Sequence, residues 1–164
     1  MKYDENHAMK DFLDRTFKII DQYDKIKDQL GNESYEVTLL INSLFGIVIM
    51  PKTHWHSKLQ NTVFTTENGD IIVSIDGKTG SLKGYNVGFI MNSLRNSLAH
   101  WGDTRGGRNN GEQNILFLLK EEKISGIIFE NKQQQFKLTF QTIDSLKSFL
   151  NEFKRILTNK TREI

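Results

Sequence analysis

Val87, Ile90, Met91, Leu94, Leu98 and Trp101 recur at spacings of three and four residues, which a helix gathers into a single apolar stripe. Gly102 follows the last of them, at a place where helices commonly stop. The side turned away from the stripe is the more constraining half. At roughly 100° per residue, Asn96 and His100 lie about 40° apart on that side, with Asn92 and Ala99 beside them. Arg95 stands about 140° from His100, but its long stem can carry the guanidinium back across. A merely solvated helix would show Glu and Lys here. An amide, a guanidinium and an imidazole on one small-residue face read as built for a partner or a substrate.

The rest of the chain supplies a setting for that helix. A first helix is expected from about His7 to Leu30, with Phe12, Leu13, Phe17, Ile19, Ile20, Tyr23 and Ile26 as its stripe. Gly31 suits its end and Asn32 the cap of a second helix from about Glu33 to Met50, closed by Pro51. That second helix is apolar nearly all round and should be a buried central element. Between Pro51 and Lys83, Val63–Thr66 and Ile71–Ile75 flank Glu67-Asn68-Gly69-Asp70 as a hairpin would, and a turn follows at Asp76–Gly80. Gly77-Lys78-Thr79 resembles the end of a phosphate loop, but position 72, where that motif needs glycine, is Ile. After a glycine-rich loop at 102–111, strand-like runs at 114–119, 124–129 and 135–141 suggest an antiparallel meander. A last helix, 142–159, carries Ile143, Leu146, Phe149, Leu150, Phe153 and Leu157 on one side, with Thr142 as its cap. The fold class expected is α+β: one domain over 1–164, a helical bundle carrying a small sheet between the Arg95 helix and the last helix.

Arg95-Asn96-Ser97-Leu98-Ala99-His100, near the end of a helix, resembles the Arg-x4-His motif of the HEPN superfamily, small helical domains that are often metal-independent endoribonucleases. The run Tyr35–Gly46, closed by Pro51, is similar to the helix that precedes the motif helix in a plasmid- and defence-associated HEPN nuclease group, and Arg15-Thr16 also fits. The resemblance implies an antiparallel HEPN-like bundle and a homodimer in which two motif helices face each other across a twofold axis; Gly88, Asn92 and Ala99, small or neutral residues on the motif face, would let the second helix approach closely. It further implies a toxin or defence effector, with an antitoxin or regulatory protein as a partner. Some HEPN toxins carry Tyr two residues after the motif His; that position here is Gly102, which argues against control by modification of that residue.

Metal-free RNA cleavage needs a base for the 2′-hydroxyl, an acid for the leaving 5′-oxygen, and cations for the charged phosphorane. His100 can serve as base or acid, because imidazole titrates near neutral pH. Arg95 offers a fixed cation whose forked donors match phosphate oxygens, and Asn96 can orient the phosphate, a water or the imidazole. Arg105 and Arg108, in the glycine-rich loop, are candidate RNA-phosphate contacts. His54 and His56 fall on one side of an extended segment without a third ligand nearby, so no metal and no cofactor is expected. The competing function is a non-catalytic HEPN-like dimer that binds RNA, a nucleotide or a partner protein.

Charge agrees with a local polyanion site better than with a basic coat. Net charge is +2, but residues 1–36 hold nine acids against six Lys and Arg, whereas 37–164 hold eleven against sixteen. The chain has no cysteine and no apolar run long enough for a membrane span, and its first residues are too polar for a secretory signal. A cytoplasmic location is the expectation.

Overall fold

The computed structural model describes residues 8–31, 35–49, 59–99 and 115–161. They belong to two compact units, Met1–Pro51 and Lys52–Ile164. The secondary structure is mixed α+β, with four α-helices among the described residues and one five-stranded antiparallel sheet. None of these helices is long and apolar enough to cross a membrane.

In the first unit α1 (Ala8–Ile26) runs into a 3-10 turn at Lys27–Gln29 and packs on α2 (Glu36–Ile49). Leu13, Phe17 and Ile20 of α1 are buried, as are Leu40, Leu44, Ile47 and Val48 of α2. Gly46 matters to this packing: a Cβ there would stand 3.0 Å from the Phe12 ring. Ile19 and Ile26, assigned to the buried stripe from spacing, are instead 52% and 46% exposed. At roughly 100° per residue they stand about 130° and 150° from the centre of the arc that Leu13, Phe17 and Ile20 define, on the far side of the helix, so the buried stripe is narrower than expected. Asn32 and Pro51, expected to cap and to end α2, lie outside the described residues.

The second unit is the sheet with two helices. β1 (Ile71–Ile75) and β2 (Lys78–Ser81) form a hairpin, α3 (Val87–Ala99) follows, then β3 (Ile115–Lys120), β4 (Lys123–Asn131) and β5 (Phe136–Phe140), and finally α4 (Ile143–Thr161). The three strands after α3 are the expected meander, but β5 continues inward and pairs with β1, giving the order β2-β1-β5-β4-β3. The sheet therefore has five strands rather than three. Register puts Ile71, Phe140 and Ile127 in one cross-strand row, and Val73, Leu138, Phe129 and Ile115 in the next. All seven are buried, and both helices cover the face they share. Phe89 of α3 meets Phe136 edge-on at 6.1 Å, and Phe149 of α4 lies 5.3 Å from Phe140.

The expected hairpin between 63–66 and 71–75 does not form. Asp76 and Gly77 both adopt positive φ, 50° and 77°, which makes a two-residue turn matched to strand twist and pairs β1 with β2 instead. Gly77-Lys78-Thr79 thus belongs to a hairpin, not a phosphate loop. Segment 63–66 takes other partners: Val63 bridges Asn86, and Phe64 exchanges backbone hydrogen bonds with Gly84 and Tyr85 at 2.8 and 3.0 Å.

Gly126 on β4 is required by close approach. A Cβ there would fall 2.3 Å from the Phe140 carbonyl oxygen and 2.7 Å from that of Gln141, both backbone atoms. Gly126→Ala must push β4 away from the end of β5, an overpacking cost of about 1–3 kcal/mol. A lower urea midpoint with an unchanged m-value is the expected measurement.

Candidate functional site

Helix α3 starts where it does because Asn86 caps it. The Asn86 Oδ1 accepts the Phe89 N–H at 2.9 Å, three residues into the helix, while its Nδ2 donates to the Gln60 carbonyl. Val87, Ile90, Met91, Leu94 and Leu98 are all buried, as their spacing requires. Leu94, fully buried, contributes about 1.5–3 kcal/mol by leaving water. The buried arc is wider than the apolar stripe, because Ser93 and Ser97 are also fully buried. Ser97 Oγ satisfies itself by donating to the Ser93 carbonyl at 3.0 Å.

What remains open is a face bearing Phe89, Asn92, Arg95, Asn96 and Ala99. Arg95 and Asn96 therefore sit together on the accessible side of α3, each partly exposed. The Arg95 Nε is itself buried and has no hydrogen-bond partner among the described residues. One part of the sequence reading is overturned. Gly88 does not belong to the open face; it is buried, and a Cβ on it would stand 3.5 Å from the Leu59 and Gln60 backbone. Its smallness serves the packing of its own unit, so it is not a groove for a second helix. His100, Arg105 and Arg108 lie outside the described residues, as do His54, His56 and Gly102. Among the described residues no group of His, Cys, Asp or Glu is arranged to hold a metal ion.

Sequence reasoning passed over Glu152. This residue lies on α4 between Phe149 and Phe153 and is 5% exposed. One carboxylate oxygen accepts the Thr65 N–H at 2.7 Å, the Thr66 N–H at 3.0 Å and the Thr65 hydroxyl at 3.2 Å. Arg155 completes the group, 3.6 Å from the carboxylate and donating to Thr65 Oγ1 at 2.7 Å. Burial alone would push the Glu152 carboxyl up, but the backbone donors of Thr65 and Thr66 together with their hydroxyls outweigh it and hold it below its ordinary value. A depressed folded-state value stabilises the fold above the ordinary carboxylate range, and this contribution disappears as pH falls through the lowered value. Wild type should accordingly lose stability toward acid more steeply than Glu152→Gln, with the two denaturation curves converging at low pH. The available signal was a lone acid on the apolar side of the last helix.

A family model described as HEPN pEK499 p136 matches residues 1–164, the whole chain. The protein belongs to this HEPN family. No curated protein and no solved structure matches it. Membership places it in the HEPN superfamily, whose domains are often ribonucleases, and carries a nuclease or RNA-related role at the level of the family.

Proposed function

We propose that this HEPN protein is a metal-independent endoribonuclease that cuts single-stranded RNA by attack of the substrate's own 2′-hydroxyl, acting as a toxin or as a defence effector against phage or plasmid. The observation carrying this reading is the division of α3: its apolar side is fully committed to the sheet, which leaves Arg95 and Asn96 on the accessible side. His100, the next residue of the motif, supplies the proton transfer, Arg95 neutralises the phosphorane, and Asn96 orients the scissile group. One motif brings one imidazole, and acid and base are both wanted. A second copy supplies the other: two chains pair through the Asn92–Ala99 side of α3, in a HEPN-like arrangement of helices, each giving its own His100. An isologous contact of this kind closes on itself as a dimer. Arg105 and Arg108 hold flanking phosphates, and an antitoxin or regulatory protein restrains the activity in the cell, where the protein works in the cytoplasm.

The test is a single digest. One unstructured RNA and its DNA counterpart are incubated with the protein in the presence and absence of EDTA, the termini are identified by mass, and sedimentation gives the oligomeric state. The expected outcome is a dimer that leaves 2′,3′-cyclic phosphate on RNA, with or without chelator, and leaves DNA intact. RNA bound but uncut would transfer the assignment to the non-catalytic reading. Cutting that needs a divalent ion would direct attention to His54 and His56.

A further inference from the structure

The motif helix is tied to the last helix of the chain by an unbroken series of hydrogen bonds. Glu152 on α4 grips the backbone of Thr65 and Thr66 at 2.7 and 3.0 Å. The segment so held runs antiparallel to the start of α3: Phe64 donates to Tyr85 at 3.0 Å, Gly84 to Phe64 at 2.8 Å, and Val87 to Thr62 at 2.8 Å. Asn86 adds its side-chain bond to the Gln60 carbonyl. The first residue of α3 is thus fixed to a strand-like segment that is itself fixed to α4.

We propose that Glu152 is a positioning residue for the motif helix, setting through the 62–66 segment the direction in which Arg95 is presented; this rests on the nuclease reading above. A carboxylate is an expensive way to fill a place beside Phe149 and Phe153, since an apolar side chain would pack there without losing hydration. What the carboxylate provides is directional hold on two adjacent backbone N–H groups, which no apolar residue gives. Leverage makes the hold matter. Arg95 lies eight residues beyond Val87, about 12 Å along the axis, so a tilt of about 5° at the base moves it by about 1 Å. Displacements of that size cost on the order of 10²-fold in rate when a group must meet a reacting phosphate.

The experiment compares full-length Glu152→Leu, which removes the oxygen that grips both N–H groups, with Thr142→Ala, which removes the hydroxyl that caps α4 (accepting the Ser145 N–H at 3.1 Å) and lies off the series. Two readouts are taken: the ¹⁵N–¹H signals of the Arg95 side chain and of amides 87–96, and kcat and KM on RNA. Glu152→Leu should shift the Arg95 signals and lower kcat by about 10- to 100-fold with little change in KM, while Thr142→Ala leaves both near wild type. If Glu152→Leu does not fold, Glu152→Asp, which keeps the charge but shortens the reach, takes its place. Equal effects from both substitutions, or Arg95 signals and kcat unchanged on removal of the carboxylate, overturn the proposal. Should wild type not cut RNA at all, the nuclease reading fails, and the Arg95 signals still decide whether Glu152 positions the helix.

Discussion

His100→Ala is expected to lower RNA cleavage by about 10²–10⁴-fold, the usual worth of one positioned acid or base, with little change in thermal stability. The expectation rests on sequence position, which sets His100 about 40° from Asn96 and off the apolar stripe. Arg95→Ala should lose about 10²–10³-fold, as when one charge-stabilising donor is removed from a transition state. Arg95→Lys should recover only part of this, because an ammonium lacks the forked pair of donors that matches two phosphate oxygens. The measurement is single-turnover cleavage of one labelled RNA by the three variants and wild type, with circular dichroism as the control on folding. Wild-type rates in His100→Ala and Arg95→Ala together would place the chemistry elsewhere in the molecule.

The second large effect is on stability. Phe149 is fully buried and meets three other rings: Phe64 at 5.5 Å, Phe140 at 5.3 Å and Phe153 at 6.5 Å. It joins α4, the sheet and the segment that leads into α3. Phe149→Ala leaves a cavity among these groups and should cost about 3–5 kcal/mol, a large share of the stability of a domain this size. Phe149→Leu keeps most of the volume and should cost clearly less. Urea denaturation of both variants checks the order, and RNA cleavage by whatever fraction remains folded shows whether loss of activity follows loss of fold.

What was legible in the sequence was local. The α3 stripe, Thr142 as cap of α4 and the three strands after α3 all follow from spacing and turn chemistry within a few residues. Thr142 Oγ1 does accept the Ser145 N–H, as its position suggested. The misread hairpin was a question of partners. Val63–Thr66 has the composition of a strand, but composition does not say whether its neighbour is β1, which follows at Ile71, or the entry to α3, which ends at Asn86. The type of turn decided it, because Asp76-Gly77 closes a tighter hairpin than Glu67–Asp70. Insertion of β5 between β1 and β4, and the reach of Glu152 across 87 positions to Thr65, are long-range pairings that no periodicity encodes. At the candidate site, Asn96 was readable from angle alone, whereas Arg95, about 100° further round the helix, needed the reach of its side chain as well. The role of Gly88 was not, since a missing side chain fits an approaching neighbour of any origin.

The central place of β5 has a temporal consequence. A ribosome delivers β1, β2, α3, β3 and β4 before it delivers the strand that joins the two halves of the sheet, and α4 comes later still. Until then α3 has only part of the surface that buries its apolar side, and the carboxylate that ties down its approach has not been made. Helix α3 therefore acquires its platform only after β5 and α4 have been made, and a message truncated before β5 yields a product with Arg95 but without the joined sheet that buries the other side of its helix.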